Sequence, residues 1–272
     1  MSAMDRISAD LFVLHVELAC PDAAAANRVL SGLEMCASAT RVAGPGVPIY
    51  VFHRSAAVTQ RARLTVPDAV GLEYFEFYLD GPAFWRHAES AEFLAGFNEA
   101  TRPTDRIERR VYFAGNAPQT VMRTKVWDGL RASALSVVEP VLLNMHEAKG
   151  RSVEYVSLYL KTLIGTHSIS DALRALSLDP SWVALLLFEH PDQPNTMRLM
   201  GVRLPVMVDR QNSHWSELRR LVSDVQGTSI AMSDAPLAEY LQHEHGWGIE
   251  RMIKSFAGYP LHPEAGTYVP GN

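Results

Sequence analysis

Residues 72–97, LEYFEFYLDGPAFWRHAESAEFLAGF, narrow the possible folds more than any other part of the chain. Leu72 to Leu79 carries aromatics at Tyr74, Phe75, Phe77 and Tyr78 with glutamates at Glu73 and Glu76, a composition that favours a pleated strand over a helix. Asp80-Gly81-Pro82 ends it. The Asp80 carboxylate can accept from the free N–H groups of a following first turn, and Pro82 suits that turn because its missing N–H loses no bond there. A helix is predicted through Phe84, Trp85 and Ala88. After Ser90 a second helical segment places Phe93, Leu94 and Phe97 on one face. A strand tied by a tight turn to a broken aromatic helix can hold a small apolar ligand.

The same alternation extends to both sides. Leu11 to Ala19 reads as a strand interrupted by His15 and Glu17. Pro21-Asp22 then opens a helix with Ala26, Val29, Leu30, Leu33 and Cys36 inward. Ile49 to His53 is a second strand, a polar connection runs from Thr59 to Asp68, and Ile107 to Phe113 makes a fourth strand. The order is β-α-β-β-α-β. Residues 117–150 carry apolar side chains at roughly helical spacing (Val126, Trp127, Leu130, Leu135, Val138, Val141, Leu142, Met145), and Pro140 is expected to kink or break the run. Beyond it the pattern repeats faintly: a strand at Val153–Leu163, a short helix at Ser168–Leu178, strands at Trp182–His190 and Met197–Val208 around an Asp192–Asn195 turn, a helix at Ser213–Val225, and a strand at Thr228–Met232. IYVFHRS (49–55) against LLLFEHP (185–191) is the best internal match. The expected organisation is unit one over 1–118, a helical connector over 119–150, unit two over 151–233, and a C-terminal helix from Asp234 with a Pro/Gly-rich tail over 234–272. That tail is either a loose terminus or an arm lying across a neighbour.

At 272 residues the chain is long enough for two domains. Its net charge of −5 and lack of a Lys/Arg cluster speak against nucleic acid as a partner. Cys20 and Cys36 form no CxxC pair, and a reducing compartment is expected. MSAMDRISAD has no apolar run of signal-peptide type, and no stretch is long enough to cross a bilayer, so a cytoplasmic location without membrane contact is expected. His243-Glu244-His245 places two histidines two positions apart, which diverge on a helix, and His146-Glu147 is not HExxH because Gly150 follows. No P-loop, GxGxxG or GxSxG follows a strand. No metal or nucleotide cofactor is expected.

Phe75-Glu76-Phe77-Tyr78-Leu79-Asp80, Ala83-Phe84-Trp85-Arg86-His87 and Ser90-Ala91-Glu92-Phe93 together resemble the antibiotic-biosynthesis-monooxygenase-like group of the dimeric α/β-barrel superfamily. That group's stretch runs E-x-(W/Y), an acidic turn, a helix with a histidine at its end, then Ser-x-x-Phe. Glu76, Tyr78, His87, Ser90 and Phe93 occupy those positions. The resemblance implies an α+β fold, two ferredoxin-like units fused in one chain, in which a tandem closes inside one chain an interface that single units form between two. It implies a cofactor-independent enzyme acting on a small aromatic or polyketide-like substrate. There a base removes a proton from a phenol or enol, and the carbanion itself reduces oxygen. The same pocket would serve cyclisation, isomerisation or decarboxylation. A homodimer is expected. Some members of the superfamily hold haem, but Leu94-Ala95-Gly96-Phe97-Asn98 lacks the histidine of the small haem degraders, which leaves only His167, His190 or His214 for that alternative.

In such a sheet strand one neighbours strand three, and strand two flanks strand three. His15, Glu76 and His53 therefore fall on adjacent strands. If their side chains share a face they form a proton-transfer group; otherwise each is a hydrogen-bonded core residue. His15, His53 and His87 are the candidate bases. Glu76, Tyr78 and Trp85 are candidates for positioning substrate, with Tyr74, Tyr78 and Tyr112 as phenolic donors or plain packing residues. Trp85 and His87, two apart on a helix, cannot both point into one cavity. The competing reading is a non-catalytic ligand-binding or scaffold module.

Overall fold

The computed structural model describes residues 12–39, 46–47, 49–115, 131–134, 136–143, 154–162, 169, 171–172, 175, 182–189, 195–203, 220–231, 248–251 and 257–259. They belong to two units. One comprises Ser8–Ala134 with Lys254–Asn272, the other Met1–Ile7 with Leu135–Ile253.

In the first unit β1 (Phe12–Cys20), β2 (Ile49–Arg54), β3 (Val70–Tyr78) and β4 (Glu108–Gly115) form the centre of a six-stranded sheet. β1 lies between β3 and β4, antiparallel to both, and β2 flanks β3. This is the strand order expected of β-α-β-β-α-β. Helix α1 (Ala23–Ser38) starts at Asp22, whose carboxylate accepts from Ala25 N at 2.7 Å, and it buries Ala26, Val29, Leu33 and Cys36. Asp80 caps α3 (Gly81–Ala88) and Ser90 caps α4 (Ala91–Ala100), each accepting from the backbone N–H three residues on. The turn chemistry of residues 80–93 thus builds the two helices that it predicts. Their apolar faces join Phe12, Leu14, Val16 and Leu18 of β1 in one core.

Several segments differ from the sequence expectation. A helix, α2 (Ala56–Ala62), runs into the polar stretch and forms because Ser55 accepts from Val58 N and Val58 is buried. Of the expected helical connector, the described residues instead form β5 (Arg131–Ala134), parallel to β4, and β6 (Ser136–Leu143). β6 is an edge strand and Pro140 sits between its two register shifts, a location that tolerates a missing donor, so the proline that argued against a strand fits one here. The rest of 119–150 lies outside the described residues.

The second unit contains β7 (Glu154–Thr162), β8 (Trp182–Glu189), β9 (Thr196–Arg203) and β10 (Val222–Ala231) in the order β10-β7-β9-β8, with β6 beyond β8 and β11 (Gly248–Arg251) beyond β10. Its four central strands repeat the fourth-first-third-second order of the first sheet, again antiparallel throughout. Asn195, in the turn between β8 and β9, has φ 58°, a conformation asparagine tolerates better than most residues. Val222 and Val225, expected at the end of a helix, open β10, where the β-branched run continuing through Thr228 and Ile230 pairs with β7. Within the helix expected from Asp234 to Phe256, residues 248–251 form β11, parallel to β10. Of the tail, the described residues form β12 (Ala257–Tyr259), which pairs with β2 of this chain's own first sheet. No helix among the described residues is long and apolar enough to cross a membrane.

Candidate functional site

Strand alternation divides the predicted residues between two faces of the first sheet. The deciding pairs are Leu14 opposite Glu76 and Tyr50 opposite Glu76, against His15 opposite Phe75 and His53 opposite Glu73. Glu76 therefore shares a face with neither His15 nor His53, so of the two alternatives the three side chains do not form a single polar group. Side chains alternate along a strand, and sequence does not reveal the register that decides which positions coincide.

On the helix-covered face Glu76 is buried among Tyr50, Tyr74 and Tyr78. The Tyr78 hydroxyl donates to Glu76 Oε2. Burial raises the Glu76 carboxyl to about 7, against the opposing pull of the Tyr78 and Tyr50 hydroxyls, which favour its charged form. Burial holds all three phenols well above their ordinary range, with the Glu76 charge adding to it, so they remain donors. His87, on α3, is fully buried, its ring 5.6 Å from that of Tyr50, 6.0 Å from Tyr78 and 4.8 Å from Phe93. Burial lowers it to about 3, only partly offset by the Ala39 backbone, so it is a neutral imidazole at physiological pH. The Tyr50 hydroxyl and both His87 ring nitrogens are buried and make no well-formed hydrogen bond among the described residues. Trp85 is half-buried, stands edge-on to Phe84 at 5.2 Å and packs on the core. Cys20, pushed up to about 12 by burial, and Cys36, pushed higher still, remain thiols.

The opposite face carries a second polar group. His53, Glu73, Glu17 and Arg110 stand side by side across β2, β3, β1 and β4. His15 stacks on Phe75 at 4.2 Å and on Tyr112 at 5.4 Å. Ser55 Oγ donates to Glu73 Oε1 at 3.0 Å, and His53 Nε2 is 3.7 Å from Glu73 Oε2. Arg61, from α2, pairs with Glu17, and Tyr112 lies at 3.5 Å from the same carboxylate. A pocket of about 240 Å³ is lined by Glu17, Arg61, Arg110, Val58 and Glu108. Tyr112 thus belongs with His15, not with Tyr74 and Tyr78. The sequence reading did not select Tyr50, Glu17, Glu73, Ser55 or Arg61. Glutamates within otherwise apolar strands were the available signal for two of them. In the second unit, Arg198 is buried among the described residues with its guanidinium 3.8 Å above the Tyr159 ring centre.

No family model matches the chain and no curated protein is significantly similar to it. Among solved structures it is similar to a protein described as a candidate monooxygenase from Lactobacillus acidophilus NCFM, at 10% identity over 84% of this chain and 100% of that one, TM-score 0.45. A second such protein, from Fusobacterium nucleatum, matches at 11% identity over 80% of this chain and 90% of that one, TM-score 0.46. An anthrone oxidase-like protein matches at 12% identity over 81% and 91%, TM-score 0.34.

Proposed function

We propose that this chain is a cofactor-independent oxygenase of small aromatic, polyketide-like substrates, built as two ferredoxin-like units within about residues 1–118 and 151–233. The shared strand order of the two sheets supports the tandem. The chemistry rests on one observation. A buried carboxyl titrating at about 7 is surrounded by three phenols and a neutral imidazole.

In this reading Glu76, rather than a histidine, is the base, because a group that titrates near neutrality suits proton abstraction and an imidazole held near 3 does not. Ionised Glu76 takes a proton from an acidic C–H or phenol of the substrate. Tyr78 and Tyr50 hydrogen-bond the resulting oxyanion. The carbanion transfers its electrons to O2, the carbon–oxygen bond forms, and loss of water from the peroxide leaves a carbonyl. One substrate and one O2 give one ketone or quinone and one water. Tyr74 walls the site.

Oxygen uptake with a panel of hydroxylated anthracenones and naphthols tests this. Glu76→Gln should lower kcat by about 10²-fold or more while the wild-type kcat rises with pH through about 7. Full turnover in Glu76→Gln would remove Glu76 as the base. Product formation without oxygen uptake would replace oxygenation with isomerisation or decarboxylation in the same site.

A further inference from the structure

We infer that the opposite face of the first sheet binds a divalent first-row transition metal ion between His15, Glu17 and Glu73, with His53 as a further donor, in exchange for Arg61. One donor atom from each of His15, Glu17 and Glu73 lies within 4.8 Å of the others, and all three side chains are buried. Tetrahedral metal–nitrogen and metal–oxygen bonds of about 2.0–2.2 Å place ligand atoms about 3.3–3.6 Å apart, so closure needs about an ångström of side-chain movement on hydrogen-bonded strands.

The fourth donor is oriented independently. His53 Nδ1 lies 2.7 Å from the Arg54 carbonyl oxygen, which only accepts, so Nδ1 carries the hydrogen. Its Nε2 faces Glu73 Oε2 at 3.7 Å. A histidine whose second nitrogen donates to a carbonyl is the usual arrangement of a metal ligand.

Charge points the same way. Glu17 and Glu73 are directly opposite each other in register at 2% and 1% exposure, a juxtaposition of two buried carboxyls that a cation between them would stabilise. Arg61 supplies one to Glu17 from a short helix, and its side chain is 24% exposed where it lines the pocket. Swinging Arg61 outward opens both a path and a coordination position. Mixed imidazole and carboxylate donors favour zinc, manganese or iron over magnesium or calcium.

Calorimetric titration of chelator-treated protein with Zn2+, and separately with Mn2+, tests the site without substrate, so it stands or falls apart from the Glu76 reading. One Zn2+ per chain is expected. Glu73→Gln and His15→Gln, checked for folding by circular dichroism, should weaken binding about tenfold or more. Arg61→Met should tighten it, because the competing cation is gone. A purely structural Arg61–Glu17 pair would not give that sign. No binding by the wild type, or unchanged affinity in folded Glu73→Gln and His15→Gln, overturns the site. Should those two fail to fold, Arg61→Met decides: tighter binding supports the exchange, and equal or weaker binding overturns it.

Discussion

Glu76 and His87 share one environment, and burial moves their pKa values in opposite directions because it disfavours the charged form of each. Glu76 rises from 4.5 to about 7, so between those values the folded protein keeps a proton that the unfolded chain has released, and stability falls as pH rises. His87 drops from 6.5 to about 3, so across that window the unfolded chain holds the extra proton and stability rises with pH. From 4.5 to 6.5 the two slopes cancel. Urea denaturation should therefore show a plateau there for this pair. Removing either partner tilts it: in Glu76→Gln stability should climb by about 2–3 kcal/mol from pH 4.5 to 6.5, and in His87→Phe it should fall by about as much. A plateau that survives both substitutions would mean that neither side chain is shielded from water as described.

Helices α1 and α4 cross at two glycines. A Cβ on Gly32 would stand 2.5 Å from Ala100 N, and one on Gly96 would stand 2.5 Å from the Gly32 carbonyl oxygen. Both obstacles are backbone, which cannot rotate away. Glycine to alanine within a helix ordinarily stabilises by about 1 kcal/mol. Here Gly32→Ala or Gly96→Ala should instead cost about 1–3 kcal/mol, read as a lower denaturation midpoint, because the helices must separate. Separation would also loosen Phe93 from His87. An increase in midpoint would show that the crossing has room.

Across each sheet, β1 and β7 hold the central positions while β2 depends on the C-terminal β12 for its outer neighbour. An uncovered edge strand offers its N–H and C=O groups to solvent or to another chain. Deleting residues 257–272 should speed amide exchange along Tyr50–Phe52 without comparable change in β1. Equal protection with and without the tail would show that β12 does not shield β2 in solution.

The β-α-β-β-α-β order of the first unit, the α3 and α4 caps and the aromatic strand at 72–79 were legible from residues alone, because capping and alternation are local properties. Helix α2 was not, since it depends on Val58 finding an apolar partner and on Gly71, where a Cβ would meet Thr59 N at 2.4 Å. β6 and β11 were not, since strand pairing lets distant segments override helical spacing and a proline. The residues of the candidate sites were mostly visible as histidines, tyrosines and strand glutamates. Their division was decided only by tertiary structure. A register shift of one residue moves every side chain to the other face, and nothing within β1 or β3 alone states that Glu73 would stand beside His53 while Glu76 turned toward Tyr50.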